Sequence, residues 1–506
     1  MSGSAEKWAA ILNELERRRD FGRAMGGEER LSKFASGGKL NARQRLAALF
    51  DDGLFVEIGG FTGVLSEEGP APAPADAFVA GFGNIDGRPV LAGAEDFTVL
   101  GGSIGMAAAD KRYRLTEIAA QEHLPLVFML EGAGHRPTNS HDGRSPNDLQ
   151  GLAALSGLVP LVCLVMGASA GHGALTAPLC DFVAMTDQAA IFAAGPPLVK
   201  AAIGEVVTKE ALGGPDIHVT QSGVVHNLVA DDASAIALAR KYLSYFPTNA
   251  WGAAPVQPGP DSEPRRIDAL LDLVSPDPRV PFSMRKLVEL VVDEGAFLEI
   301  QPKYGPSLVT GLARLGGRSV ALVANDPSVG AGAIDAAAAD KAAHFLDVAG
   351  AFRIPAVFLT DNPGVMAGTA AEKSGILRHA ARMFMAQHRL RSPKIHVTLR
   401  KAFGFGSSIM AMNPFDRQTA LYAFPSITLG AMPVSGVADT AKLDAETRAR
   451  LEAQQAGSAY HLADGMKYDD VIDPRDLRNA LLNGLALTAG RAHDADGPVV
   501  HRGILP

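Results

Sequence analysis

Four short glycine-containing stretches carry the residue types and spacing that could do chemistry in this chain. In the first half, Glu131-Gly132-Ala133-Gly134-His135 follows the apolar run LPLVFML, and Gly167-Ala168-Ser169-Ala170-Gly171-His172-Gly173 follows VPLVCLVM. In the second half, Asp361-Asn362-Pro363-Gly364 follows AVFLT, and Arg400-Lys401-Ala402-Phe403-Gly404-Phe405-Gly406-Ser407-Ser408 follows KIHVTL. A glycine turn between a buried strand and a helix start leaves backbone N–H groups free. Such donors, aided by the positive end of a helix dipole, can stabilise an oxyanion. At one such turn, close strand–helix packing is explanation enough for the glycine. Four of them at strand ends shift the balance toward chemistry.

Few side chains compete with these amides. The His172 imidazole could act as a base, although oxyanion binding needs only its N–H. Glu131 is the one turn carboxylate in the first half. Lys111 and Lys341 could bind phosphates but read better as solvated helix charges. Leu100-Gly101-Gly102-Ser103-Ile104-Gly105 lacks the GxGxxG order of a dinucleotide loop and reads as a turn. HExxH, GxSxG and Walker A patterns are absent.

The elements that must position these turns are written twice. GFGNIDGRPV (81–90) reappears as GLARLGGRSV (311–320), AAADKRYRLTEIAAQEHLP (107–125) as AAADKAAHFLDVAGAFRIP (337–355), and VFMLEGAG (127–134) as VFLTDNPG (357–364). All three pairs share an offset of 230 residues, and DDGLFVEIGG (51–60) is echoed by DEGAFLEIQP (293–302). A repeat this long marks two copies of one module rather than a solenoid. Buried-type strands at 89–97, 124–130 and 159–167 alternate with helices at 107–123 and 147–158, which predicts an α/β sheet covered on both faces. Ahead of them, 1–50 reads as helix, then a loop over 27–40, then a second helix in NARQRLAALF with Leu46, Leu49 and Phe50 on one face. The Pro/Ala tract 69–77 reads as a loop. The second module repeats the order, with a longer helix at 371–390, a strand at 394–400 and a polar helical C-terminal stretch (440–506). The Pro-rich segment 251–266 divides residues 1–255 from residues 267–506.

Composition narrows the function. At 506 residues the chain fits two domains. A net charge of −8 without a basic stripe argues against a nucleic-acid partner. Only Cys163 and Cys180 occur, so no zinc ribbon and no other metal site is expected. No run is long and apolar enough to span a membrane, and the N-terminus lacks a signal-peptide core. A soluble, cytoplasmic protein is expected.

At these residues the chain resembles the biotin-dependent carboxyltransferase family, the β subunits of acyl-CoA carboxylases such as propionyl-CoA and methylcrotonyl-CoA carboxylase. The matching stretches include KLNARQRLAALFDDGLFVEIG (39–59), GGSIGMAAADK (101–111), GASAGHGALTAPLCDFVAM (167–185), DNPGVMAGTAAEKSGILRHAARM (361–383), SPKIHVTLRKAFGFGSSIMAM (392–412) and YDDVIDP (468–474). The resemblance implies a tandem pair of crotonase-like (ClpP/crotonase) modules. It implies transfer of carboxylate from carboxybiotin to the α- or vinylogous carbon of a short or branched acyl-CoA, through two enolates held in two backbone oxyanion holes. Carried over by position, one hole falls on Gly171 and His172 and the other on Phe405 and Gly406. Gly132, Ala133, Gly134, Ala170 and Ser408 are implied to bind substrate, and Pro363, Gly364 and Gly404 to bind biotin. The first module is implied to take chiefly acyl-CoA and the second chiefly biotin, with the site built across a homodimer, often within a hexamer.

The chain departs from the family pattern at EGAGH, in place of an SGGA-type turn, and at Phe405, where smaller residues are usual. It has no MKM tripeptide, so the resemblance implies biotin carried by a partner α subunit holding the biotin carboxylase and biotin carrier. Three rivals stand beside this expectation: a decarboxylase subunit working from a malonyl-type CoA, a biotin-independent hydratase or isomerase with Glu131 as base, and a non-catalytic assembly subunit.

Overall fold

A computed structural model describes residues 2–63, 73–138, 145, 147–434, 442–490 and 504–506. The chain divides into two compact units, Met1–Ser244 with Pro506 and Tyr245–Leu505. The Pro-rich segment lies in the second unit, where Gln257 N–H donates to the Gly317 carbonyl at 2.8 Å and Arg478 holds the Asp261 carbonyl at 2.7 Å.

In the first unit the strands are β1 (Val56–Ile58), β2 (Phe78–Ile85), β3 (Arg88–Glu95), β4 (Leu126–Leu130), β5 (Leu161–Val165), β6 (Ala168–Ala170), β7 (Phe182–Thr186), β8 (Ala190–Phe192) and β9 (Asn227–Val229). One sheet runs β1-β2-β3-β4-β5-β7-β9, antiparallel through β3 and parallel beyond it, while β6 pairs with β8 beside it. The second unit holds β10 (Leu298–Ile300), β11 (Leu308–Leu315), β12 (Arg318–Asn325), β13 (Ala356–Asn362), β14 (Lys394–Phe403), β15 (Gln418–Ala423), β16 (Thr428–Gly430) and β17 (Asp470–Val471). Its sheet runs β10-β11-β12-β13-β14-β15-β17, with β16 on the far end of β14. The mixed α/β class read from the sequence is therefore the observed one.

The duplication extends to register. The β2–β3 hairpin pairs Phe78 with Glu95 through Ile85 with Arg88, and the β11–β12 hairpin pairs Leu308 with Asn325 through Leu315 with Arg318. Asp86-Gly87 closes the first turn at φ 50° and 73°, and Gly316-Gly317 closes the second at 60° and 76°. Two positive-φ residues make the turn whose twist matches paired strands. Strands β4, β5 and β13 are buried along their whole length, as sheets covered on both faces require.

Several local expectations need correction. The stretch 27–40 is not all loop: α2 (Glu28–Ser36) follows α1 (Ser2–Arg23) and precedes α3 (Ala42–Leu49). Glu28 and Glu29 lie in the first turn of α2 and Lys33 in the last, which suits the helix dipole. The long helix expected at 371–390 breaks at Gly375, φ 78°, into Thr369–Lys373 and Ile376–Arg389. Within the Pro/Ala tract, 69–72 lie outside the described residues, and Pro74–Ala77 form a tight 3-10 turn. The C-terminal stretch is not wholly helical, since β17 joins the sheet.

Lys111 and Lys341 are not solvated. Each is buried on the long helix after its hairpin, α4 (Met106–Glu122) or Ala336–Ala351. Lys341 Nζ donates to the carbonyls of Leu308 at 2.6 Å and Gln301 at 3.2 Å; Lys111 Nζ donates to those of Phe78 and Ala75. The paired lysines thus tie each helix to the start of β2 or β11, which apolar packing cannot do for a lone carbonyl. Burial pushes both ammonium groups down to about 7. Between about pH 7 and the ordinary lysine range near 10.5 the unfolded chain holds protons the folded chain has lost, so these groups make stability rise with pH. The stability gap between the parent and Lys341→Met should therefore widen in favour of the parent between pH 7 and pH 9.5, as read by urea unfolding. A constant gap would show that Lys341 titrates at its ordinary value.

Candidate active site

In the first unit, the chain leaving β4 turns at 131–135 and is pinned to the 101–104 loop. Ala133 N–H donates to the Gly101 carbonyl at 3.1 Å and Ile104 N–H to the Gly134 carbonyl at 2.8 Å. The chain leaving β5 enters β6, where Ala170 N–H donates to the Gly132 carbonyl at 3.1 Å. Gly134 sits at φ 80°, where a Cβ would lie 2.9 Å from the Ala170 carbonyl oxygen, so only glycine lets the turns meet. Gly132, Ala133, Gly134 and Ala170 are thus brought together. Gly171 follows at φ 61°, and α6 (His172–Leu175) begins.

The second unit repeats this geometry. Gly364, φ 126°, is fixed by its N–H to Asn362 Oδ1 at 2.8 Å, and Ile334 bridges Val365 as Ile104 bridges His135. The last residues of β14 pair with β16 as β6 pairs with β8, Gly404 follows at φ 59°, and the helix Gly404–Ile409 begins. A Cβ on Gly406 would meet Gly364 Cα at 3.0 Å, which places Pro363, Gly364, Gly404, Phe405 and Gly406 in one cluster. Ser408 lies a turn further on, its carbonyl accepting from Asn413 Nδ2 at 3.0 Å. The matched positions are Gly134 with Gly364, Gly171 with Gly404, His172 with Phe405, and Gly173 with Gly406.

This register corrects one assignment. Gly171 is not a free donor, because its N–H is given to the Phe192 carbonyl at 3.1 Å, an extension of the β6–β8 ladder. Among the described residues, no backbone acceptor outside their own short helices is seen for the amides of His172 and Gly173, or for those of Gly404, Phe405 and Gly406. The helices they open have four and six residues. That is too short for much macrodipole, so these amides act as local donors.

Glu131 is also differently placed from what a catalytic base requires. It is buried, with Oε2 accepting from Arg45 at 2.6 Å and Oε1 from Lys39 Nζ, while Arg45 also holds Asp232 at 2.9 Å. Its counterpart Asp361 is likewise buried against Arg400 at 2.6 Å. Both Glu131 oxygens are thus engaged by cations, which holds the carboxylate in an ion-pair network instead of presenting it to a substrate. Glu131→Gln should therefore melt lower, at a cost of about 3–5 kcal/mol for breaking a buried pair. It should keep turnover per folded molecule. Lost turnover at an unchanged melting temperature would restore Glu131 as a base.

Beneath the first turn lies a charged chain that residue spacing did not reveal. His172 Nε2 meets Asp148 Oδ1 at 2.5 Å, Arg112 Nε donates to Asp148 Oδ2 at 2.7 Å, and Arg112 also reaches Glu95 at 3.2 Å and Thr176 Oγ1 at 2.7 Å. Burial raises Glu95 to about 7 against the pull of Arg112. Asp148 is held below the usual carboxylate range, because Arg112 and His172 outweigh its burial. Arg112 and Asp148 lie 36 residues apart, on α4 and on α5 (Asp148–Leu155).

A cleft of about 700 Å³ opens beside these turns, lined by Arg30, Lys33, Lys39, Phe34, Phe97 and Lys209 and floored by Gly101, Glu131 and Ala168. Because 27–40 read as loop, the Arg30 and Lys33 side of this cleft went unseen.

The Carboxyl transferase domain model matches residues 34–499. The chain belongs to that family. It is 37% identical over 495 residues to the methylmalonyl-CoA carboxyltransferase 12S subunit of Propionibacterium freudenreichii subsp. shermanii, covering 94% of each chain. It is 35% identical to the methylmalonyl-CoA decarboxylase subunit alpha of Veillonella parvula, over 93% of this chain and 94% of that one, and 32% identical to the propionyl-CoA carboxylase beta chain of Roseobacter denitrificans, over 94% and 96%. A solved transcarboxylase 12S structure, described as a hexamer assembly with methylmalonyl-coenzyme A bound, superimposes with TM-score 0.90 at 35% identity, covering 98% of this chain and 99% of that one. The tandem crotonase-like fold and the carboxyltransferase activity expected from the sequence are thus those of the family. This carboxyltransferase is a subunit of the kind found in acyl-CoA carboxylases and transcarboxylase. Among the described residues, no helix is long and apolar enough to cross a membrane.

Proposed function

We propose that this carboxyltransferase moves a carboxyl group between biotin and the α-carbon of a short or branched acyl-CoA, with one oxyanion held at each of its two equivalent turns. The observation that carries the reading is the repeated turn itself. Each unit presents two successive main-chain amides, His172 and Gly173 or Phe405 and Gly406, just past a positive-φ glycine. Donors preset for charge that develops in the transition state contribute roughly 2.7–4 kcal/mol each.

The first unit takes the acyl-CoA. Its cleft gathers Arg30, Lys33 and Lys209 as charge for phosphates and Phe34 and Phe97 as flat apolar faces for a purine, and it reaches Glu131 and Ala168 near the heads of the two turns. The second unit takes biotin. Gly364, Gly404 and Gly406 keep its turn clear of side-chain bulk, and the exposed Phe405 offers an apolar wall, which fits a ureido ring fused to a thioether ring. Biotin arrives on a partner subunit and supplies both the carboxyl group and the anion that receives the α-proton. This chain's amides hold the thioester oxygen and the ureido oxygen as each gains charge, so no side-chain base is needed. The working form is a cytoplasmic homo-oligomer, dimer to hexamer, in which turns of the two kinds from different copies complete one site.

Two measurements test this. Lys33→Glu should raise KM for acyl-CoA roughly tenfold, since a charge-assisted phosphate contact is lost, with kcat little changed. An unchanged KM would remove the cleft from the reading. Incubation with free biotin and either propionyl-CoA or methylmalonyl-CoA should show carboxyl exchange. Decarboxylation alone would make the chain a decarboxylase subunit, and exchange in neither direction would favour an assembly role.

A further inference from the structure

The two turns share a backbone and differ in side chains at two matched positions. The first carries His135 and His172, the second Val365 and Phe405. The imidazoles of His135 and His172 stand edge to face, ring centres 4.7 Å apart. His172 Nε2 is spent on Asp148, itself fixed by Arg112, while Nδ1 has no hydrogen-bond partner among the described residues. The buried pair Glu95–Arg112 has no counterpart at the matched positions of the second unit, where Asn325 stands for Glu95 and Ala342 for Arg112. At these matched positions the first turn therefore carries ionisable groups and its twin neutral ones. A neutral twin suits an uncharged ring; an ionisable one suits an anion.

We infer that His172, anchored through Nε2 to Asp148 and walled by His135, holds the transferred carboxylate of the carboxylated acyl-CoA through Nδ1. This rests on the proposed placement of acyl-CoA in the first unit and names the residue that distinguishes carboxylated from uncarboxylated CoA. The carboxylate of Asp148 obliges Nε2 to carry its hydrogen, so Nδ1 of a neutral ring can only accept. An arriving carboxylate needs a donor there, which Nδ1 provides only in the doubly protonated ring, a cation then flanked by two carboxylates. Asp148 from α5 and His135 from the neighbouring turn touch this ring, and behind Asp148 stands Arg112 from α4, which also holds Glu95 from β3 and Thr176 after α6. Arg112 already neutralises Asp148, so the added charge is left for the ligand.

Titration calorimetry of the intact protein with methylmalonyl-CoA and propionyl-CoA, which differ only in the carboxylate, tests this. The parent should prefer methylmalonyl-CoA, and only that ligand should bind with uptake of close to one proton, read from heats in buffers of different ionisation enthalpy. His172→Gln should cut the preference roughly tenfold and abolish the uptake. Equal losses for both ligands, or an unchanged preference, would overturn the assignment. The proton count on the parent decides the matter even if the variant misfolds, because carboxylated ligand bound without proton uptake contradicts the inference. Failure of the parent to bind either CoA would instead contradict the cleft.

Discussion

Everything in this molecule turns on where two pairs of peptide N–H groups are left without acceptors. A strand ends, one glycine takes positive φ, and a helix too short to matter as a dipole begins. Gly171 and Gly404 do this at φ 61° and 59°. At Gly171 the amide still belongs to the ladder, bonded to Phe192, so the free donors begin one residue later. The rest of each unit serves to keep that junction rigid. The 101–104 loop is hydrogen-bonded beneath the neighbouring turn, the acid at the head of that turn (Glu131 or Asp361) is pinned by arginine, and the long helix is tied to its hairpin by a buried lysine. Since a transition-state donor contributes only when held in place beforehand, such bracing is what the chemistry asks for.

Duplication followed by divergence explains the rest. Both copies keep the glycines, hairpin register and lysine tie, because these are demands of backbone geometry. They part at side chains around the turns. The first unit acquired a cationic cleft and a buried Glu–Arg–Asp–His chain; the second kept apolar or amide residues at matched sites. On the proposed function, two like oxyanions are served by one backbone device, while two unlike ligands are told apart around it.

The repeated hairpin, long helix and first glycine turn of each unit were legible because glycines and apolar runs recur at an offset of 230, and the second turn of each unit because a glycine run follows a buried strand there too. The α2 helix was not: glycines at 27 and 37 bracket it and none of its residues is buried, so no apolar stripe announces it. The buried lysines were misread because a lysine's environment is decided by which carbonyls the tertiary fold brings to it. The Arg112–Asp148–His172 chain joins two helices and a turn far apart in sequence, which periodicity cannot see. The one-residue error at Gly171 has a similar source. Its N–H looks free until β8 is known to lie beside β6. Family resemblance supplied the chemistry; the ladder decided which amide is available for it.

Replacing single peptide bonds by esters would test the central claim most directly, since the change removes one N–H and leaves the side chain. The bonds to substitute are those whose nitrogens belong to His172 and to Phe405, with carboxyl exchange measured on the assembled protein. Each ester should lower kcat roughly 10²–10³-fold with the melting transition little changed, whereas an ester at Gly171 should chiefly destabilise the β6–β8 ladder. Full kcat with either His172 or Phe405 as its ester would contradict the account.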